Sequence, residues 1–235
     1  MDFLTKEFIG PSGYKYTIRE ENGEDEEVLS NPSDAHNLMN ITNFISRIVV
    51  KTDFTESTKL TPIDALNLPL RDRYAILIQS RIFSIGEELD FTYNWPLESE
   101  PTYYSQDLKE LILDDYTNIT KEALENKPDA IKPYKDIELL HTLKFKDYEV
   151  TLSSGKEIKF NLMDGNAEAW SLSLPIDKQT RNAELLARGL KLKVNGNWET
   201  VQQFSLFTIK DMSEMRSIVH EIDPIWQGTV EIVNP

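Results

Sequence analysis

Hydrophobic residues recur along this chain at two spacings, and the switches between them divide it into elements. The opening KEFIGPSGYKYTIRE alternates about GPSG at 10–13, with Tyr14, Tyr16 and Ile18 on one face. That pattern predicts a β-hairpin turned by Gly10 to Gly13. ENGEDEE at 21–27 reads as a charged, solvated loop, because it lacks the DxDxDG spacing and twelfth-position Glu of a calcium loop. From Ser33, a capping residue, helical spacing takes over to about Val50, with Leu38, Ile41, Ile45, Ile48 and Val49 facing inward. Thr61, Pro62 and Asp64 mark a second helix start, with a hydroxyl cap, a first-turn proline and a carboxylate near the positive end of the dipole. Pro69 ends that short piece.

The next helix is predicted over 70–84 and stops at Gly86. Leu70, Tyr74, Leu77, Ile78, Ile82 and Ile85 recur at helical spacing, and Ala75, Ile76 and Phe83 widen the apolar arc until a thin polar strip remains. Such a helix must be covered on most sides. Arg81 falls on the apolar side between Leu77 and Ile85, whereas Arg73 falls on the strip. A buried guanidinium needs a carboxylate or several carbonyls, so Arg81 is the candidate for a structural ion pair. In the alternative its stem snorkels over apolar surface to water.

Leu89, Phe91, Tyr93 and Trp95 then alternate with Asp90, Thr92 and Asn94, the pattern of a half-buried strand. Residues 96–137 carry prolines at 96, 101, 128 and 133 and many charges, with 108–113 as a further element, and the domain junction is placed at 125–135. Strands at 146–152 and 157–162 are joined by Ser153, Ser154 and Gly155. A helix near 180–188 ends at Gly189, and a second hairpin turns at Asn195, Gly196 and Asn197. Thr208 with Asp211 opens a last helix whose Met212, Met215, Val219 and Ile222 stripe reads as core rather than as a partner groove. The expected fold class is α+β. Its N-terminal domain, residues 1–125, holds a hairpin, helices, a strand and the long apolar helix, and a smaller, β-hairpin-rich α+β domain follows at 136–235.

Composition narrows the chemistry. The 235 residues include no cysteine, which excludes disulfides, thiolate zinc sites, iron–sulfur clusters and cysteine nucleophiles. Histidines at 36, 141 and 220 are too far apart for a local ligand motif. Gly155-Lys156 stands at a hairpin turn rather than in a phosphate loop, and neither GxSxG nor GxGxxG occurs. Adjacent carboxylates such as Asp114 with Asp115 and Glu87 with Glu88 diverge from one another. The sequons at Asn40 and Asn118 read as chance matches. No catalytic residue, cofactor or metal site is therefore assigned.

The net charge of −15 is unevenly placed, with 9 acids and 3 bases in 1–36, 13 and 5 in 87–136, but 4 and 6 in 37–86. This patterning favours pairing within the chain or with protein partners, and disfavours DNA, RNA and anionic membranes, which call for a basic stripe. The longest apolar runs fall far short of the roughly 20 residues a membrane helix needs, and MDFLTKEFIG has no signal-peptide pattern. The cytoplasm is the expected location.

Three segments, PSGYKYTIREENGEDEEVLSN (11–31), NITNFISRIVV (40–50) and LPLRDRYAILIQSRIFSIGEELDFTYNW (68–95), resemble the tail assembly or baseplate hub family of contractile-tailed bacteriophages. The likeness covers about the first hundred residues. SGKEIKF at 154–160 and the late VNGNWETVQQFSLFTIKDMSEM segment resemble that family's second half more loosely. The resemblance implies a baseplate hub component or a hub assembly chaperone. Such a protein works in the host cytoplasm on other phage tail or baseplate proteins, without enzymatic activity, and is carried in the virion tail if it is retained. Many members of the family carry CxxC pairs after the strand at 89–95 and near the C-terminus. The corresponding NWPLESEPTYY and IWQGTVEIVNP have none, so no zinc is implied, and burial of Trp95, Tyr103, Tyr104 and Trp226 is the expected replacement.

For a contact protein the candidate groups are exposed aromatics. Tyr103, Tyr104, Trp170 and Trp226 stand in apparent loops or element ends, where each is either a partner contact or a local core cap. Two other classes stay open, a cytoplasmic enzyme with a carboxylate-held metal and an acidic decoy that mimics nucleic acid.

Overall fold

Alternation in the first twenty residues produces the expected hairpin. In the computed structural model, which describes residues 3–35, 37–57, 59–96, 100–111, 147–223 and 232, β1 (Thr5–Ile9) pairs antiparallel with β2 (Lys15–Arg19). β2 also pairs with β3 (Val49–Thr52), so the sheet runs β1-β2-β3. Tyr14, Tyr16 and Ile18 all turn into the core, as their common parity requires.

ENGEDEE is not a loop. Asn22 caps α1 (Gly23–Leu29), its side chain accepting from the Glu24 and Asp25 N–H groups while Asp25 accepts from the Asn22 N–H. This reciprocal box satisfies N–H groups that a helix start otherwise leaves orphaned. Asp25 is fully buried beneath Arg19, at 2.7 and 2.8 Å, and Arg47, at 3.2 Å. A run of acids concealed one carboxylate whose role is to be covered.

The helix expected from Ser33 is also divided. α2 (Pro32–Ala35) makes a single turn, Leu38 takes a left-handed conformation at φ 59°, and α3 (Met39–Ile48) starts after it. Phe44, Ile45 and Ile48 are buried, while Leu38 and Ile41 are half-buried. Val49 already belongs to β3, in keeping with the strand preference of paired β-branched residues. α4 (Pro62–Asn67) has the predicted Thr61–Asp64 box, and α5 (Leu70–Ser84) follows Pro69 and stops before Gly86. Together with the sheet they enclose a core that includes Tyr16, Phe44, Leu68 and Ile76.

After α5 the chain forms a separate two-stranded ribbon, β4 (Glu88–Tyr93) with β5 (Thr102–Asp107), the latter unforeseen. The alternation of 89–95 does give a strand. It is not half-buried throughout, since Phe91 alone in β4 is better than exposed. A 3-10 turn at Leu108–Leu111 closes the ribbon, and the rest of the element expected at 108–113 lies outside the described residues.

The second half is a four-stranded antiparallel sheet ordered β6 (Tyr148–Thr151), β7 (Glu157–Phe160), β8 (Lys191–Val194) and β9 (Asn197–Thr200). Asn195 and Gly196, both at positive φ (50° and 84°), make the β8–β9 turn, matching the left-handed residues a two-residue hairpin favours. α8 (Ile209–Ile222) opens with a Thr208–Asp211 box and lays Met212, Met215, Val219 and Ile222 into one core with Tyr148, Ile158 and Phe160.

Between β7 and β8 the chain leaves the sheet for α6 (Gly165–Ser173), unforeseen and capped by Asp164, and α7 (Ala183–Ala187), shorter than the expected 180–188. This excursion joins the halves. The Leu70 N–H donates to the Met163 carbonyl at 2.7 Å, and Leu70, Met163 and Ala167 form a small cluster with Tyr74 and Ala187. Helices and antiparallel sheets together make the fold α+β, with an N-terminal hairpin and a later hairpin-rich region. The junction expected at 125–135, which sets the bounds 1–125 and 136–235, lies outside the described residues. Among the described residues no helix is long and apolar enough to cross a membrane.

Candidate functional site

The first turn of α5 carries three consecutive charges, Arg71, Asp72 and Arg73, and all three are buried, at 8%, 0% and 1% exposure. A helix advances about 100° per residue, so the three side chains diverge. Asp72 accepts from the Ser12 N–H at 2.8 Å and the Tyr16 hydroxyl at 2.7 Å in the first hairpin. Arg71 donates to Ser12 Oγ at 2.7 Å and reaches across to the end of α8, with the Ile222 carbonyl at 3.4 Å and Asp223 at 3.8 Å. Arg73 donates to the Ala65 carbonyl at 2.6 Å and Thr42 Oγ1 at 3.1 Å. Its guanidinium lies against Gly165, where any Cβ would stand 2.9 Å from Cζ.

The expectation for the two arginines of α5 is thereby reversed. Arg73, assigned to a polar strip, is fully buried, and Arg81, assigned to a buried ion pair, is half-buried and donates to the Gly86 carbonyl at 3.1 Å. A helix covered on nearly every side has no outer face for its strip, so the strip is buried as well. The apolar excess around α5 carries that signal, but helical spacing does not say which arginine is buried.

The electrostatics follow the partners. Burial raises the Asp72 carboxyl above its ordinary value, and the Arg71 charge and the bonds from Tyr16 and Ser12 offset this only in part. Burial likewise lowers Arg73 and raises the Tyr16 phenol, the latter reinforced by Asp72. Asp223 goes the other way. Burial pushes it up, but Arg188, Arg71 and the Met163 N–H outweigh that and hold it low. The Arg188 guanidinium, itself fully buried, contacts Asp223 directly and binds Glu184 through Nε at 3.0 Å and Nη2 at 2.9 Å. Of these groups Arg71 spans the halves, from Ser12 to Asp223, whereas Asp72 and Arg73 bond within the first half and Arg188 within the second.

Groups available to a partner lie elsewhere. On one face of the β4–β5 ribbon Phe91 stacks on Tyr104 at 5.5 Å, Tyr93 meets Trp95 edge-on at 4.9 Å, and Trp95 Nε1 donates to the Tyr104 hydroxyl at 2.9 Å. Tyr104 is thus locked by its neighbours, and half-buried Trp95 with it. Tyr103 points to the opposite face at 80% exposure, so the burial expected of it as a substitute for zinc does not occur. Leu89 and Tyr93 are also exposed. The ribbon meets the body at its base, where Leu108 is buried, its N–H bonds the Glu87 carbonyl, and Lys109 pairs with Glu87.

Trp170 stands in the last turns of α6 and is exposed together with Leu172 and Ile176. Trp226 lies outside the described residues. Leu172 lies within α6 and Ile176 after it, and isolated apolar residues of this kind carry no periodic signal in the sequence. Among the described residues no group of three or more His, Asp or Glu side chains is placed to hold a metal ion. Comparison of the chain with family models, curated proteins and solved structures finds no match.

Proposed function

We propose that this chain is a tail or baseplate assembly protein of a contractile-tailed bacteriophage, either a baseplate hub component or a hub assembly chaperone, acting by protein–protein contact in the host cytoplasm. The observation that carries the reading is the β4–β5 ribbon. Two strands alone are marginal in water, yet this pair exposes Leu89, Tyr93 and Tyr103 beside an ordered aromatic cluster. Rigid, exposed aromatics dominate interface energies. A further support is that the segments bearing the resemblance pack as one unit, with Ser12 and Tyr16 bonded to Asp72, and Arg19 and Arg47 to Asp25.

The test is affinity purification of the tagged chain from phage-producing cells, with mass spectrometry of lysate and of purified particles. Tail proteins should be recovered with the wild type, and Tyr103→Ala should lower that recovery without lowering the melting temperature. Recovery from both lysate and particles makes the protein a hub component, and recovery from lysate alone makes it a chaperone. Absence of tail proteins from both overturns the proposal.

A further inference from the structure

Arg181, Arg216 and His220 line a cleft of about 300 Å³ between the start of α7 and the flank of α8, with Leu185 and Val219 as apolar floor. Two carboxylates, Glu184 and Asp223, stand on its wall. Both are already engaged by the buried Arg188, and Asp223 also faces Arg71. The basic side chains are not so matched. Arg216 donates to the neutral Asn182 Oδ1 at 3.0 Å, which draws its guanidinium beside the residue that follows Arg181. Among the described residues the Arg181 and His220 side chains have neither a hydrogen bond nor an ion pair. In a chain with 40 acidic and 25 basic residues, unmatched arginines converging on a cleft run against the overall charge.

We propose that this cleft binds an oxyanion, the carboxylate or phosphate head of a small organic anion, independently of the assembly role. Guanidinium groups present planar donor forks that match both kinds of head. Arg181 and Arg216 would clamp the oxygens, and the Leu185–Val219 floor would cover the apolar body. Because Arg188 and Arg71 together balance Glu184 and Asp223, the acidic wall does not repel the ligand. The cleft size is at the small end of the range for ligand sites.

The experiment is calorimetric titration of the full chain with inorganic phosphate and, separately, with succinate, at ionic strength held constant with chloride. One saturable site is expected in at least one arm, and the arm that saturates identifies the head group. Arg181→Gln and Arg216→Gln should each weaken binding roughly tenfold, the loss of one charge-assisted hydrogen bond. Arg181 is exposed, so its variant tests the site even if Arg216→Gln fails to fold. Lys178→Gln, an exposed cation outside the cleft lining, should bind as the wild type does. Lack of saturation in both arms, unchanged binding in Arg181→Gln, or an equal loss in Lys178→Gln would overturn the proposal.

Discussion

The core beneath β6–β9 and the seam at the start of α5 are equally dry and chemically opposite. The first is built from Tyr148, Ile158, Phe160, Met215 and their apolar neighbours, and its cohesion is non-directional burial. The second holds Arg71, Asp72 and Arg73, and its cohesion depends on each donor finding its acceptor. Shape sets the tolerance of the core, and geometry that of the seam. Arg71, which reaches Ile222 and Asp223 in the other half, also restricts how the halves dock, because another register would take it from those partners.

The largest loss should come from the seam. Asp72→Ala leaves the Ser12 N–H and the Tyr16 hydroxyl without their acceptor, removes the carboxyl beside Arg71, and should cost about 3–5 kcal/mol by urea unfolding. Burial already favours the neutral form of Asp72, so Asp72→Asn should recover most of that loss, and an equal loss in both variants would mean that the seam requires the ionised form. In the core, Met215→Ala should cost about 2–5 kcal/mol, but Met215→Leu less than about 1.5 kcal/mol. A Leu variant as damaging as the Ala variant would remove the contrast in tolerance.

Gly165→Ala comes next. Its new Cβ would meet Arg73 Nη1 and the Leu66 carbonyl, each at 2.9 Å, for an expected cost of about 1–3 kcal/mol. In an Arg73→Ala background the penalty should shrink, and a double-mutant cycle reads the coupling. Simple additivity would place Arg73 elsewhere.

Dependence on pH separates two carboxylates of the same half. Burial pushes Asp25 up, but the bonds from Arg19, the Asn22 N–H and Arg47 outweigh it and hold it below its ordinary value. Its stabilisation is therefore present above the unfolded pKa of about 3.9 and is lost as pH falls through the lower folded value. Asp72 is raised, so its contribution has the opposite sign and diminishes as pH rises through its folded value. Urea midpoints between pH 2 and 7 should show a shallower acid limb in Asp25→Asn than in the wild type. At the alkaline end, burial holds Tyr14 up at about 12 and raises Tyr16 and Tyr74. That stabilisation is complete below about pH 10 and declines above it. A midpoint that stays flat from pH 9 to 11 would contradict it.

The smallest effect belongs to Arg81. Its bond to the Gly86 carbonyl is worth about 0.5–1.5 kcal/mol, so Arg81→Ala should cost clearly less than Arg73→Ala in the same urea assay. The reverse order would restore the ion-pair reading of Arg81.

Local chemistry by itself determined much of this fold. The alternation of Tyr14, Tyr16 and Ile18, the Thr61–Asp64 and Thr208–Asp211 boxes, the Asn195-Gly196 turn and the methionine stripe each specify an element through neighbours a few residues away. Tertiary structure alone decided which polar groups are dry. Asp25 is covered by Arg47, 22 positions later, and Arg71 meets the carbonyl of Ile222, 151 positions later. Tyr103 and Tyr104, adjacent in the chain, differ in exposure because β5 sends alternate side chains to opposite faces and Phe91 and Trp95 meet only one of them. The physical reason is the same throughout: periodicity records which side of an element is apolar, whereas the burial of a charge depends on a partner that folding brings from far along the chain.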